Sequence, residues 1–114
     1  MATVNITVTN DADFYQVFQY QTISAVPIDM TGVALEMMLR RHATDEAAVL
    51  RLATDTGEFV LVDPVNGLFS LRIMQDRLVR LGLGDFDQSN IMTKNGYKTK
   101  IWSGILTNNA GPTR

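Results

Sequence analysis

Hydrophobic residues in this chain recur at every second position over short stretches, and turn-forming residues interrupt them at regular intervals. A period of two is what a pleated strand with one buried face requires. Over residues 3–9, Val4, Ile6 and Val8 share one side, with Asn5 and Thr7 on the other. Residues 68–74 set Phe69, Leu71 and Ile73 against Ser70 and Arg72. Further strands are predicted over 14–23, 49–54 (Leu50 and Leu52 inward), 58–63, 86–93 and 97–107. Phe59-Val60-Leu61-Val62 is apolar without a break, so the 58–63 strand is expected to be buried on both faces. One short helix is predicted over 75–81, where Leu78 and Leu81 share a face and Gly82 supplies the stop.

The interruptions carry turn chemistry. Asn10-Asp11, Asp55-Thr56-Gly57, Pro64-Val65-Asn66-Gly67 and Lys94-Asn95-Gly96 combine residues that tolerate the positive φ of tight turns. Asn66-Gly67 and Asn95-Gly96 are the strongest hairpin signals. In Pro27-Ile28-Asp29-Met30-Thr31-Gly32, Asp29 can fold its carboxylate onto the N–H of Thr31 or Gly32, and Gly32 can adopt a positive φ. Gly82-Leu83-Gly84 reads as a connector, since it lacks the rest of a phosphate-loop pattern and precedes a strand. The tail, 108–114, is expected to be irregular.

Residues 33–41 fit two templates. As a strand, Val33, Leu35, Met37 and Leu39 face one way, and Ala34, Glu36, Met38 and Arg40 the other. As a helix, Leu35, Met38 and Leu39 take i, i+3, i+4 spacing among good helix formers. Periodicity leaves both open.

A chain of 114 residues, 46% hydrophobic, is the size of one domain with one core, here expected to span 1–114. A formal net charge of −2 provides no field for nucleic acid or anionic membrane. With no cysteine, there is no disulfide framework, thiolate metal site or thiol nucleophile. The start, Met1-Ala2-Thr3-Val4-Asn5, has no charged and apolar regions of a secretory signal. The longest strongly apolar run, 59–62, is far shorter than the roughly 20 residues that cross a bilayer, so no membrane insertion is expected.

Candidate chemistry is thin. His42, the sole histidine, reads as a loop residue, and Ser24, Ser70, Ser89 and Ser103 stand in no nucleophile-elbow context. Asp11-x-Asp13 and Asp85-x-Asp87 place paired carboxylates on one side of an extended segment, but neither forms a calcium loop. They read as solvated turn acids. No catalytic, cofactor-binding or metal residue is expected, and no small-molecule ligand.

In the last hairpin, regular alternation puts Lys98, Lys100 and Trp102 on one face, a possible interface. A bulge at Gly104 would instead send Trp102 into the core with the lysines snorkelling around it. Met38, outward in the strand reading, suggests a surface covered by a neighbouring subunit or loop, although single exposed apolar residues are common. Val4, Ile6 and Val8 lie on a candidate edge strand, open to pairing with a neighbour.

Taken in order, these pieces resemble the small β-domains of bacteriophage and prophage tail and baseplate proteins, notably the N-terminal domain of baseplate upper proteins. The resemblance runs through Asp11-Ala12-Asp13-Phe14-Tyr15 and the Pro27 to Gly32 turn, similar to that family's Pro-x-Asp-Leu-Thr-Gly. It continues through the strand ending at Arg40 and Arg41, 49–57, the 59–73 strands around Asn66-Gly67, Trp102-Ser103-Gly104-Ile105-Leu106 and the close at Thr113-Arg114. Phe86-Asp87-Gln88-Ser89 departs from the aromatic-x-aromatic-Asp usual there. The resemblance implies an immunoglobulin-like β-sandwich of seven to eight strands and tips 33–41 toward strand. It implies a non-enzymatic structural component of a phage or prophage tail that self-associates as a homo-oligomer and docks to other tail proteins. Such a component belongs in the virion tail after assembly in the bacterial cytoplasm. A non-enzymatic carbohydrate- or protein-binding sandwich, with Tyr15, Tyr20 and Trp102 as an aromatic platform, is the alternative.

Overall fold

The computed structural model describes residues 2–113. Its strands are β1 (Ala2–Thr3), β2 (Ile6–Thr9), β3 (Phe14–Gln19), β4 (Ala34–Arg40), β5 (Leu50–Ala53), β6 (Phe59–Asp63), β7 (Leu68–Ile73), β8 (Gly84–Lys94) and β9 (Tyr97–Asn109). The helix α1 occupies Gln75–Leu81, where the sequence places it. A six-stranded sheet runs β1-β9-β8-β4-β5, with β2 also on β9, and a three-stranded sheet runs β3-β7-β6. The architecture is a β-sandwich, two sheets packed around one core, with a single α-helix among the described residues. β1 and β2 are two pieces of one edge, both parallel to β9.

The ambiguous segment is a strand. On β4, Leu35, Met37 and Leu39 are fully buried, while Glu36, Met38 and Arg40 face out. Antiparallel partners on both sides, β5 and β8, satisfy its backbone, and burial outweighs the helix propensity of the same residues. The preceding turn forms as expected: Asp29 Oδ1 accepts the Thr31 N–H (2.9 Å) and hydroxyl (2.6 Å), and Gly32 has φ 76°.

Facing residues of the two sheets fill the core. Phe59, Phe69 and Leu71 come from the smaller sheet, Leu52, Phe86 and Leu106 from the larger, and Leu78 of α1 closes one end. Trp102 stacks on Phe69 (5.8 Å between centroids) and tilts against Phe18 (4.8 Å). Its indole N–H donates to Gln88 Oε1 (2.8 Å), and Gln88 Nε2 donates to the Val4 carbonyl (2.7 Å). The edge strand is therefore tied to the core's largest side chain.

Four expectations need correction. The 58–63 strand is not buried on both faces: Phe59 faces in, while Val60 and Val62 are about half exposed because none of the described residues covers the outer side of β6. The 14–23 strand stops at Gln19, and the chain turns through an exposed tip around Ile23, closed by the Thr22 N–H to Val26 carbonyl bond (2.8 Å). The irregular tail begins after Asn109 rather than at 108. Asn108 is buried on β9 and donates to the Leu78 and Gly82 carbonyls, both at 2.9 Å, which ties down the end of α1. Finally, the bulge in the last hairpin is at Ile101, not Gly104, since Asn90 pairs with Trp102 and Ile91 with Lys100. Gly104 meets a different demand: a Cβ there would lie 2.1 Å from the Val4 carbonyl oxygen, so only glycine lets the edge strand approach.

Candidate docking faces

The outward residues of the larger sheet form a regular grid. Cross-strand pairing lines up Ile105, Asp87 and Arg40 in one row, then Ser103, Ser89, Met38 and Arg51, then Lys100, Ile91 and Glu36. Small serines at the centre leave a shallow open groove of about 750 Å³ whose floor includes Met38, Ser89 and Ile91. Charges surround it. Arg51 Nε binds Glu36 Oε2 at 2.6 Å and Nη1 reaches Asp55 at 3.2 Å, and Glu36 first, then Asp55, raises the Arg51 pKa above its ordinary value. Arg40 donates to the Glu46 carbonyl (2.9 Å), and Asp87 accepts the Ala43 N–H (2.9 Å). Lys98 and Lys100 are exposed and, among the described residues, have no carboxylate in ion-pair range.

The smaller sheet's outer face has a different chemistry. Val17 of β3 and Val60 of β6 flank Ser70 of β7 in one row, and Tyr15 pairs with Arg72 in another. Tyr15, Val17, Val60 and Val62 are each about half exposed, and the Arg72 guanidinium lies 4.8 Å over the Tyr15 ring.

The residues expected at an interface divide between inside and outside. Ile6 and Val8 are buried in the core and Val4 packs against it, so these side chains are not interface groups. Among the described residues, β2 pairs with β9 alone, which leaves its outer backbone edge without a strand partner. Trp102 is also core, because the bulge at Ile101 turns it away from the lysines. Met38, Lys98 and Lys100 do share one face, that of the larger sheet. The aromatic platform does not assemble: Tyr15 lies on the smaller sheet's outer face and Trp102 is inside.

Each remaining residue has a structural task. Asn95 and Gly96 (φ 53° and 82°) close the β8–β9 hairpin, where Lys94 pairs with Tyr97. Asn66 Nδ2 donates to Asp63 (2.8 Å), and Gly67 has φ 69° with a Cβ position 2.6 Å from the Tyr20 carbonyl oxygen. Asp13 accepts the Gln75 N–H (2.7 Å) at the start of α1, and Asp85 accepts the Thr107 hydroxyl (2.8 Å). His42 sits in an exposed turn, its N–H donating to Asp45 (3.1 Å). None of the described helices is long and apolar enough to cross a membrane.

No protein-family model matches the chain, and no curated protein matches it. Among solved structures, the N-terminal domain of phage TP901-1 ORF48 aligns over 96% of this chain and 88% of its own, with 10% identity and a TM-score of 0.51. At that identity the likeness is one of fold. The ZIG-8–RIG-5 IG1–IG1 heterodimer (10% identity, 94% and 82% covered, TM-score 0.47) and Dpr1 IG1 bound to DIP-eta IG1 (10%, 97% and 91%, 0.44) align more loosely.

Proposed function

We propose that this chain is a non-enzymatic structural component of a phage or prophage tail, of baseplate type, which self-associates and docks to other tail proteins in the virion. One observation carries the reading: the fold is shared over nearly its whole length with an N-terminal domain of a phage protein. It coincides with a resemblance drawn independently from the order of turns and strands. The docking faces support it as well, since both outer sheet surfaces are open and patterned while the chemistry-bearing residues serve turns and caps. The carbohydrate-binding alternative has no aromatic platform to work through.

The test is particle composition. Tail particles purified on a density gradient from a host expressing the tagged chain are expected to carry it at a fixed ratio to the other tail proteins. Complete particles that form without it, with the chain left in the soluble fraction, would overturn the reading.

A further inference from the structure

The larger sheet's outer face carries a charge pattern that a copy of itself would complement. Within one row, Lys100 on β9 and Glu36 on β4 flank Ile91 on β8. Next to it, Ser103 and Met38 flank Ser89. Acid and base are thus placed symmetrically about β8, with Ser89 and Ile91 on the strand between them. A two-fold axis lying along β8 sets β9 of one copy over β4 of the other. Lys100 then faces Glu36 across the interface, twice, Met38 fills the space over Ser103, and Ile91 meets its equivalent. Asp87 also falls on the axis, with Arg40 beside it in its row to offset the like charge.

We propose that a second copy of this chain docks on this face in an isologous dimer, with Lys100 of each copy paired to Glu36 of the other. The inference rests on the assembly reading and gives it a first partner. Charge complementarity selects the occupant: Lys100 has no partner within the described chain, and Glu36 has carboxylate oxygens to share beyond its bond to Arg51. The size also fits. Five strand positions by about seven residues give a face of about 24 by 23 Å, so two copies cover about 1,100 Å², at the lower end of specific interfaces.

Charge reversal tests it, read by sedimentation velocity across a concentration series, with circular dichroism to confirm the fold. The unaltered chain is expected to show a reversible monomer–dimer equilibrium. Lys100→Glu and Glu36→Lys should each weaken it about tenfold or more, because each places two like-charge pairs across the axis. The double variant should restore it to within about threefold, since each reversed charge again meets its opposite. Arg51 stays beside position 36 in both the single and the double variant, so restoration reads the cross-copy pair alone. Singles that weaken association without rescue would overturn this pairing. A chain that associates regardless of both single reversals would overturn the face while leaving the assembly reading intact. A chain monomeric at every concentration would overturn the dimer, and the particle-composition experiment would still decide the assembly reading separately.

Discussion

The outer faces of the two sheets are produced by the same alternation of side chains, yet they invite different neighbours. On the larger sheet, outward positions are filled by Glu36, Arg40, Asp87 and Lys100 around small serines, giving a grooved surface with signed charge. On the smaller sheet they are filled by Tyr15, Val17, Val60 and Val62, giving an apolar surface with Arg72 laid over Tyr15. A charged grid favours one register, because shifting a partner by one row sets Lys100 over Met38 or Ala34 instead of Glu36. An apolar row gains free energy from any cover and specifies little. In the proposed assembly, the larger face would set register and the smaller would add unspecific apolar cover.

The comparison depends on the sheets staying packed, so the largest expected effect lies between them. Trp102→Ala should cost about 3–5 kcal/mol in denaturant unfolding, since it empties the site between Phe18 and Phe69 and leaves Gln88 without its indole donor. A loss below 1 kcal/mol would mean that Trp102 is not the anchor. Gly104→Ala should cost about 1–3 kcal/mol, because its methyl group collides with the Val4 backbone. Hydrogen exchange should then report faster opening at the β1–β2 edge than at β4. Smaller still is Val60→Lys, expected to shift stability by no more than about 0.5 kcal/mol and to leave sedimentation unchanged. If it abolished association, the roles of the two faces would be reversed. The smallest effect lies off both faces, at Asp29. The Thr31 hydroxyl and then its N–H hold this carboxyl below the ordinary aspartate range. Its folded pKa is depressed, so its contribution is present above the unfolded pKa and fades as pH falls through the folded one. Asp29→Ala should therefore narrow its stability gap from the unaltered chain on acidification from about pH 5 to about pH 2, measured by urea titration at each pH.

Much of this architecture was legible because strands with one buried face write their period into the sequence. The turn at Asp29, the helix at 75–81 and the 68–73 strand were all readable locally, since each depends on residues within a few positions of one another. The strand at 34–40 was not, because helix and strand both suit its residues and only its two partner strands decide. The outward Val60 and Val62 misled for the opposite reason: valine suits a strand whether or not its outer side is covered. In β8 the inward residues Phe86, Gln88, Asn90 and Met92 mix polar with apolar, which hid the register. Trp102 was the decisive case for the candidate site. One extra residue at Ile101 moved it from the lysine face to the core, and no local signal marks that insertion. Met38, Lys98 and Lys100 were visible as outward residues. Their common face with Glu36 required the register of three strands.

The parallel pairing of β2 with β9 has a mechanical consequence. Ile6 to Thr9 run alongside Leu106 to Asn109 in the same direction, and Ala2 and Thr3 alongside Trp102 and Ser103. Tension that draws the two ends of the chain apart therefore slides these strands lengthwise past each other. The hydrogen bonds between them are loaded together in shear rather than opened singly from one end, and the Gln88 bond to Val4 adds a cross-tie to the core. Force applied along this axis must break the whole seam at once, which is the loading geometry in which a small β-sandwich resists extension best.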